Sequence, residues 1–224
     1  LIFVFWNYNN MLNTLNCFKA YDIRGRLGDE LNEEIAYRIG RAYGEFAKPK
    51  TVVVGGDVRL TSESLKQALS NGLRDAGTDV LDIGLSGTEE IYFATFHLGV
   101  DGGVEVTASH NPKQWNALKL LNEKGEFLNA AEGAEVLRIA AAEDFEFADV
   151  DHLGKVIPNA TYKQKHIESV LNLDLVDVEA IKAANFRVAI DCVNSVGGIV
   201  IPDLLYALGV KEIFKLHCAP HGNF

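Results

Sequence analysis

The sequence predicts an α/β protein built on a mostly parallel sheet with helices on both faces. Two observations carry this. Short apolar runs alternate with amphipathic stretches of helical length, as where "TVVVGG" (51–56) is followed by "SESLKQALSNGLRDAG" (62–77). The "TVVV" run also lacks the polar-apolar alternation of a half-exposed strand, as expected for a strand covered on both faces. Strand–helix–strand units of this length join parallel strands by crossover connections.

Taken in order, a helical stripe runs through 31–47, where Ile35, Ile39, Ala42, Tyr43 and Phe46 share a face. Asn32 is placed as its N-cap and Pro49 ends it. After the strand at 51–56, Leu65, Ala68, Leu69, Gly72 and Leu73 line one side of the next helix. Thr61 or Ser62 caps its start, and Gly77 suits a left-handed residue at its end. "DVLDIG" (79–84) reads as a strand, "EEIYFATFHLG" (89–99) as a helix, and "GGVEVTAS" (102–109) and "ALKLLN" (117–122) as strands. The alanine-rich 130–143 reads as a helix, and "AYDIRG" (20–25) closes a strand-like segment upstream.

From about 145 to 159 the pattern decays into acidic and turn-forming residues. A second unit follows, with a helix at 160–172, a strand at 186–192, a Gly-Gly turn, a helix at 198–209 and a strand at 212–217. The expected organisation is a first domain at 11–150, a linker at 151–159 and an incomplete second domain at 160–224, because two clear strands are too few to close an α/β core. Residues 1–10, "LIFVFWNYNN", precede the sole methionine, Met11, and have neither a basic start nor a small-residue cleavage site. They are expected to be an upstream extension.

The chain has 224 residues, 48% hydrophobic and 23% charged, with a formal net charge of -10. This composition is that of a globular protein, and the acidic balance argues against nucleic acid or an anionic membrane as partner. The cysteines, Cys17, Cys192 and Cys218, are far apart in sequence and show no metal-ligand spacing. Reduced thiols in a cytoplasmic protein are the expectation.

The stretch "VTASHNPKQWNALKL" (106–120) holds the chemistry. Ser109 follows a strand at the carboxyl edge of the sheet, where open α/β sheets place ligands. Pro112 stiffens the loop and Asn111 can brace it. His110 is adjacent in sequence and need not face the serine, and the G-x-S-x-G elbow of a serine hydrolase is absent. These residues alone leave two readings open, a structural turn and a reactive hydroxyl. Arg24 has a fork suited to phosphate, or to a surface ion pair. "GGDVRLTS" (55–62) reads as an anion-binding helix start or as a capped loop, and no P-loop motif occurs.

Together, "CFKAYDIRG", "GGDVRLTS", "DGGVEVTASHNP" and "NALKLL" resemble, in order and spacing, the α-D-phosphohexomutases, the phosphomannomutase and phosphoglucomutase superfamily. The similarity runs from about Cys17 to the end, and TASHNP is its most specific part. The resemblance implies a three-layer α/β/α sandwich with a mixed, mostly parallel sheet, plus part of a second similar domain. It implies a phosphoserine at Ser109 that exchanges phosphate with a hexose phosphate through a hexose 1,6-bisphosphate. Mannose is the favoured sugar, with phosphoglucosamine mutase and phosphoglucomutase activities as alternatives, as is a catalytically inert truncated domain that at most binds sugar phosphate. Lys119 would be the cation beside the reacting hydroxyl. Tyr21 and Arg24 would line the cleft, with His110 and Asn116 shaping it and Tyr21, Arg24, Asn116 and Lys119 meeting substrate. Mg²⁺ would be held through the phosphate on Ser109.

Departures accompany the resemblance. The family's "DGDxDR" metal loop is not in this sequence, nor are its later sugar- and phosphate-binding loops, so the chain is expected to be an N-terminal segment that is inactive alone. Upstream of TASHNP the sequence resembles the bacterial phosphomannomutase branch. Downstream it looks closer to the phosphoglucosamine mutase branch, which raises a chimeric junction near Ser109 as a hypothesis.

Overall fold

A computed structural model describes residues 15–19 and 22–223. The expectations placed on residues 1–10, Met11 and Tyr21 lie outside the described residues. Strands β1 (Ile23–Arg26), β2 (Thr51–Gly56), β3 (Asp79–Leu85), β4 (Gly102–Val106), β5 (Trp115–Leu121) and β6 (Val156–Pro158) form one sheet in the order β1-β5-β4-β2-β3-β6. β4, β2, β3 and β6 run parallel, whereas β5 is antiparallel to both β4 and β1. The sheet is therefore mixed and mostly parallel, as expected.

Helices α1 (Glu33–Ala47), α2 (Ser62–Asp75) and α4 (Ala130–Ala142) cover one face, and α3 (Thr88–Leu98) covers the other. The valines of β2 show why that strand reads as apolar throughout. Val52 and Val54 join Ile39, Leu65 and Val136 in one core, while Val53 joins Ile91 and Phe93 in the other. α1 and α2 approach closely because of two glycines. A Cβ on Gly40 would lie 2.2 Å from the Leu69 carbonyl oxygen, and one on Gly72 would lie 2.2 Å from that of Tyr37.

Helix ends follow the sequence signals unevenly. Asn32 caps α1, its side chain accepting from the Ile35 N–H at 2.9 Å, and Gly77 has φ +89°. Neither Thr61 nor Ser62 caps α2 as expected. Thr61 makes no side-chain cap bond, and the Ser62 hydroxyl instead donates to Asp57 at 2.6 Å. AYDIRG also differs from its reading, because β1 begins at Ile23 and Arg24 lies within the strand.

The weakly patterned residues 145–159 are more ordered than the plain linker predicted for them. Arg41 of α1 is buried, donates to the Glu146 carbonyl at 2.6 Å, and has Phe145 and Phe147 rings 5.2 and 4.4 Å from its guanidinium carbon. A 3-10 turn at Val150–His152 follows, and β6 then pairs in parallel with β3. Three residues of edge strand are too short to leave a period in the sequence.

The second unit comprises α5 (Tyr162–Leu171), α6 (Val178–Ala184), β7 (Arg187–Asp191), α7 (Gly197–Ala207) and β8 (Glu212–Leu216), with β7 and β8 parallel. The short, seven-residue α6, capped by Asp177, was not expected. Cys192 and Cys218 are far apart in sequence but meet at the ends of β7 and β8, where burial and the neighbouring Cys218 thiol push the Cys192 thiol up to about 11. Among the described residues no helix is long and apolar enough to cross a membrane.

Candidate active site at the loop after β4

β4 is buried along its whole length and delivers the chain to the carboxyl edge of the sheet, where Ser109 is exposed. The ladder extends one residue past the strand, with the Thr107 N–H donating to the Ala117 carbonyl at 3.0 Å. Ser109 then adopts φ +55°, in the left-handed region that a non-glycine residue enters at a cost of about 1 kcal/mol.

A buried polar cluster holds this conformation. The Ser109 N–H donates to Thr107 Oγ1 at 3.1 Å, and the Thr107 hydroxyl donates to Asp57 Oδ2 at 2.6 Å. Asp57 also accepts from the Ser62 hydroxyl, the Arg59 N–H and Arg59 Nε. Arg59, only 5% exposed, donates from Nη2 to the carbonyls of Ser109 (2.8 Å) and Asn111 (2.7 Å). From Nη1 it donates to those of Pro112 (3.2 Å) and Trp115 (3.1 Å). The GGDVRLTS turn is therefore neither a plain capped loop nor an open anion cradle. Its charges hold the Ser109 loop from beneath. Asp and Arg two positions apart beside a helix start are the signal for this cluster, but the sequence does not say which carbonyls the arginine meets.

The expected site residues fall into separate groups. Arg24 Nη1 donates to Asn111 Oδ1 at 2.8 Å, and its Nε donates to Asp22 at 3.0 Å, so the guanidinium touches the loop while paired with a carboxylate. His110 is exposed, with Nδ1 3.4 Å from Ser109 Oγ, which is longer than a good hydrogen bond. Asn116 is fully buried. Its amide donates to Thr61 Oγ1 and Ser62 Oγ, both at 3.1 Å, and its Oδ1 accepts from the Ala117 N–H. It ties β5 to the start of α2, and this burial does not support the direct substrate contact expected of it.

Lys119 of β5 lies opposite Glu105 of β4, roughly 7 Å along the sheet from the level of Thr107 and Ala117. Its ammonium rests 5.5 Å from the centroid of the Phe127 ring, and among the described residues no hydrogen bond joins it to Ser109.

A second polar layer lies under the loop. The Ser86 hydroxyl donates to Glu105 Oε2 at 2.8 Å, while Glu105 Oε1 and Glu90 Oε1 are buried without a partner. Burial pushes the Glu105 carboxyl well above the usual carboxylate range; the Ser86 hydrogen bond opposes this, and the negative charges of Asp57 and Glu90 add to it. A groove of about 210 Å³ adjoins the loop's base, lined by Asp57, Arg59, Ser62, Lys66, Leu85 and His221.

Among the described residues no group of three or more His, Cys, Asp or Glu is placed to hold a metal ion, and Asp57, the carboxylate beneath the loop, is spent on hydrogen bonds. These residues therefore do not form a side-chain cage for Mg²⁺.

Residues 15–147 match the family profile described as phosphoglucomutase/phosphomannomutase, alpha/beta/alpha domain I, and residues 164–224 match that of domain II. The chain is 52% identical over 219 residues to a phosphomannomutase of Escherichia coli K12, a match covering 95% of this chain and 47% of that protein. It is 67% identical over 140 residues to a phosphomannomutase of Klebsiella pneumoniae, covering 62% of this chain and 88% of that one. In the crystal structure of a phosphoglucomutase/phosphomannomutase family protein from Burkholderia thailandensis, 30% identical, 93% of this chain superposes on 45% of that chain with a TM-score of 0.81. The chain spans about half the length of the Escherichia coli relative. That single relative matches both sides of Ser109, so its match requires no junction there.

Proposed function

The chain belongs to the phosphoglucomutase/phosphomannomutase family, and from that premise we propose that it carries the phosphoserine loop of a phosphohexomutase interconverting hexose 6-phosphate and hexose 1-phosphate. Mannose phosphate is the favoured substrate, supported by the names of the Escherichia coli and Klebsiella relatives. Ser109 is the phosphoryl carrier. The observation that carries this assignment is an exposed hydroxyl in a strained, left-handed backbone, held rigidly by a buried cluster at the carboxyl edge of the sheet.

In the forward half-reaction the Ser109 Oγ–P bond breaks and a bond forms between that phosphorus and the free hydroxyl oxygen of the hexose monophosphate. The sugar hydroxyl loses its proton and Ser109 Oγ gains one, so no net proton is consumed. The hexose 1,6-bisphosphate then reorients and returns its other phosphoryl group to Ser109. This chemistry needs positioning and charge compensation more than covalent machinery. Lys119 supplies a cation on the adjacent strand, reaching the reacting oxygens by turning from Phe127. Arg24 supplies a second, at the loop's edge, by sharing its fork between Asp22 and phosphate. Magnesium belongs to this reading as a family-level expectation, and no step is routed through it because the described residues do not form its cage.

A coupled assay on mannose, glucose and glucosamine 1-phosphates, primed with the matching 1,6-bisphosphate, tests the reading and ranks the sugars. Intact-mass analysis should show a phosphate that Ser109→Ala abolishes. An unchanged phosphorylation state in that variant would remove Ser109 from the role. The rival reading, a domain that binds sugar phosphate without turnover, draws on the pairing of Arg24 with Asp22. Turnover by this chain would overturn it.

A further inference from the structure

Resting on the reading of Ser109 as phosphoryl carrier, we propose that Arg59 is the positioning residue of the phosphoserine loop and binds no substrate phosphate. Among the described residues its guanidinium donates one hydrogen bond to Asp57 and four to the carbonyls of Ser109, Asn111, Pro112 and Trp115. Four peptide dipoles thus converge on one buried cation, whose charge the Asp57 carboxylate balances at 3.1 Å. Convergence has a directional consequence. Across a planar trans peptide the N–H points opposite to the C=O, so turning the Ser109 and Pro112 carbonyls inward turns the N–H groups of His110 and Lys113 away from Arg59. The loop is thereby folded around its own arginine, with Ser109 held at φ +55° and its side chain on the solvent side. An arginine used this way has no fork left to present to a sugar phosphate.

The test compares Arg59→Ala and Arg59→Lys with wild type in the 224-residue chain, using hexose 1,6-bisphosphate with Mg²⁺ as phosphoryl donor and following Ser109 phosphorylation by intact mass. In Arg59→Ala the phosphorylation rate at saturating bisphosphate falls by on the order of 10²-fold while the half-saturating concentration stays unchanged. Added guanidinium ion restores rate to Arg59→Ala. Arg59→Lys is no better than Arg59→Ala, because a single ammonium cannot satisfy four carbonyls. Hydrogen exchange across 107–116 rises at least about tenfold while β2 keeps its protection. Should Arg59→Ala lose protection in β2 as well, Thr107→Val, which cuts the loop's other tie to Asp57, replaces it with the same expected split between rate and half-saturation.

A raised half-saturating concentration with an unchanged maximal rate would make Arg59 a substrate ligand and overturn the proposal, as would partial rescue by lysine. If wild type loads Ser109 and Arg59→Ala loads it equally fast, the carrier reading stands and this proposal alone falls. If wild type takes no phosphate on Ser109 even when the chain is extended to the full length of its relatives, the carrier reading falls, and Arg59 is left as a structural brace whatever the exchange shows.

Discussion

Ser86 at the end of β3 donates a 2.8 Å hydrogen bond to Glu105 of β4, although β2 lies between those strands. The bond crosses the sheet over Gly55, whose register partners are Gly84 and Glu105. A strand without a side chain at that point leaves the space in which the buried carboxyl can reach Ser86. The contact ties together the carboxyl ends of three parallel strands, beneath the loop that carries Ser109.

Gly55 is predicted to tolerate no side chain. A Cβ there would lie 2.1 Å from Ser86 Oγ and 2.9 Å from Ile91 Cδ1. Gly55→Ala should lower stability by about 1–3 kcal/mol, the usual cost of overpacking, as measured by urea unfolding. An unchanged midpoint would show that Ser86 and Ile91 move aside freely.

Glu105 makes stability depend on pH in a defined direction. Its folded pKa lies well above the ordinary 4.5, so the folded state holds this proton over a range where the unfolded chain has released it. The contribution is fully present below about pH 4.5 and is lost as pH rises through the folded value, at about 1.4 kcal/mol per pH unit for one proton. Glu105→Gln keeps an acceptor for Ser86 without a charge. Relative to wild type it should therefore gain stability as pH is raised from 5 towards neutrality, and parallel wild-type and variant curves would contradict this.

His166 acts at the opposite end of the scale. It stacks on Phe93 with ring centroids 5.0 Å apart, joining α5 to α3, and burial lowers its pKa from 6.5. A depressed base is neutral when folded, so its contribution is present above about pH 6.5 and declines as pH falls through that value towards the folded one. Acidification should loosen the α3–α5 contact, read as faster hydrogen exchange in 162–171. His166→Phe should flatten that response.

Ser109 is expected to show a conflict between stability and function. At φ +55° a glycine is unstrained, so Ser109→Gly should be more stable than Ser109→Ala by about 1 kcal/mol in thermal unfolding, while neither accepts phosphate. Equal stability of the two variants would show that the loop relaxes out of the left-handed region once the hydroxyl is gone.

Much of the first unit is legible in the sequence because its elements are long and periodic. The α1 stripe through Ile35, Ile39 and Phe46 faces the core, with Ile39 buried and the other two partly so, and the β2 run Val52–Val54 is buried throughout. Ser109 is legible as a strand-end hydroxyl for the same reason. Short or non-periodic elements such as β6 and α6 carry no such signal. The clasp of Arg41 by Phe145 and Phe147 joins residues about a hundred positions apart that look like a helix surface and a linker.

The sequence by itself determined the order of the longer strands and helices, the two-faced burial of the central strand and the position of a reactive-looking serine at its sheet's edge. These follow from local periodicity, which the chain carries residue by residue. Only the tertiary structure decided what each charged or polar group is spent on. Arg59 was legible as a cation near a helix start, but its commitment to four backbone carbonyls 50 or more residues away was not. Asn116 was legible as a polar neighbour of the loop, but not as a buried tie to α2. Backbone carbonyls are the same for every residue type, so a side chain that binds them leaves no mark in the sequence of its partner.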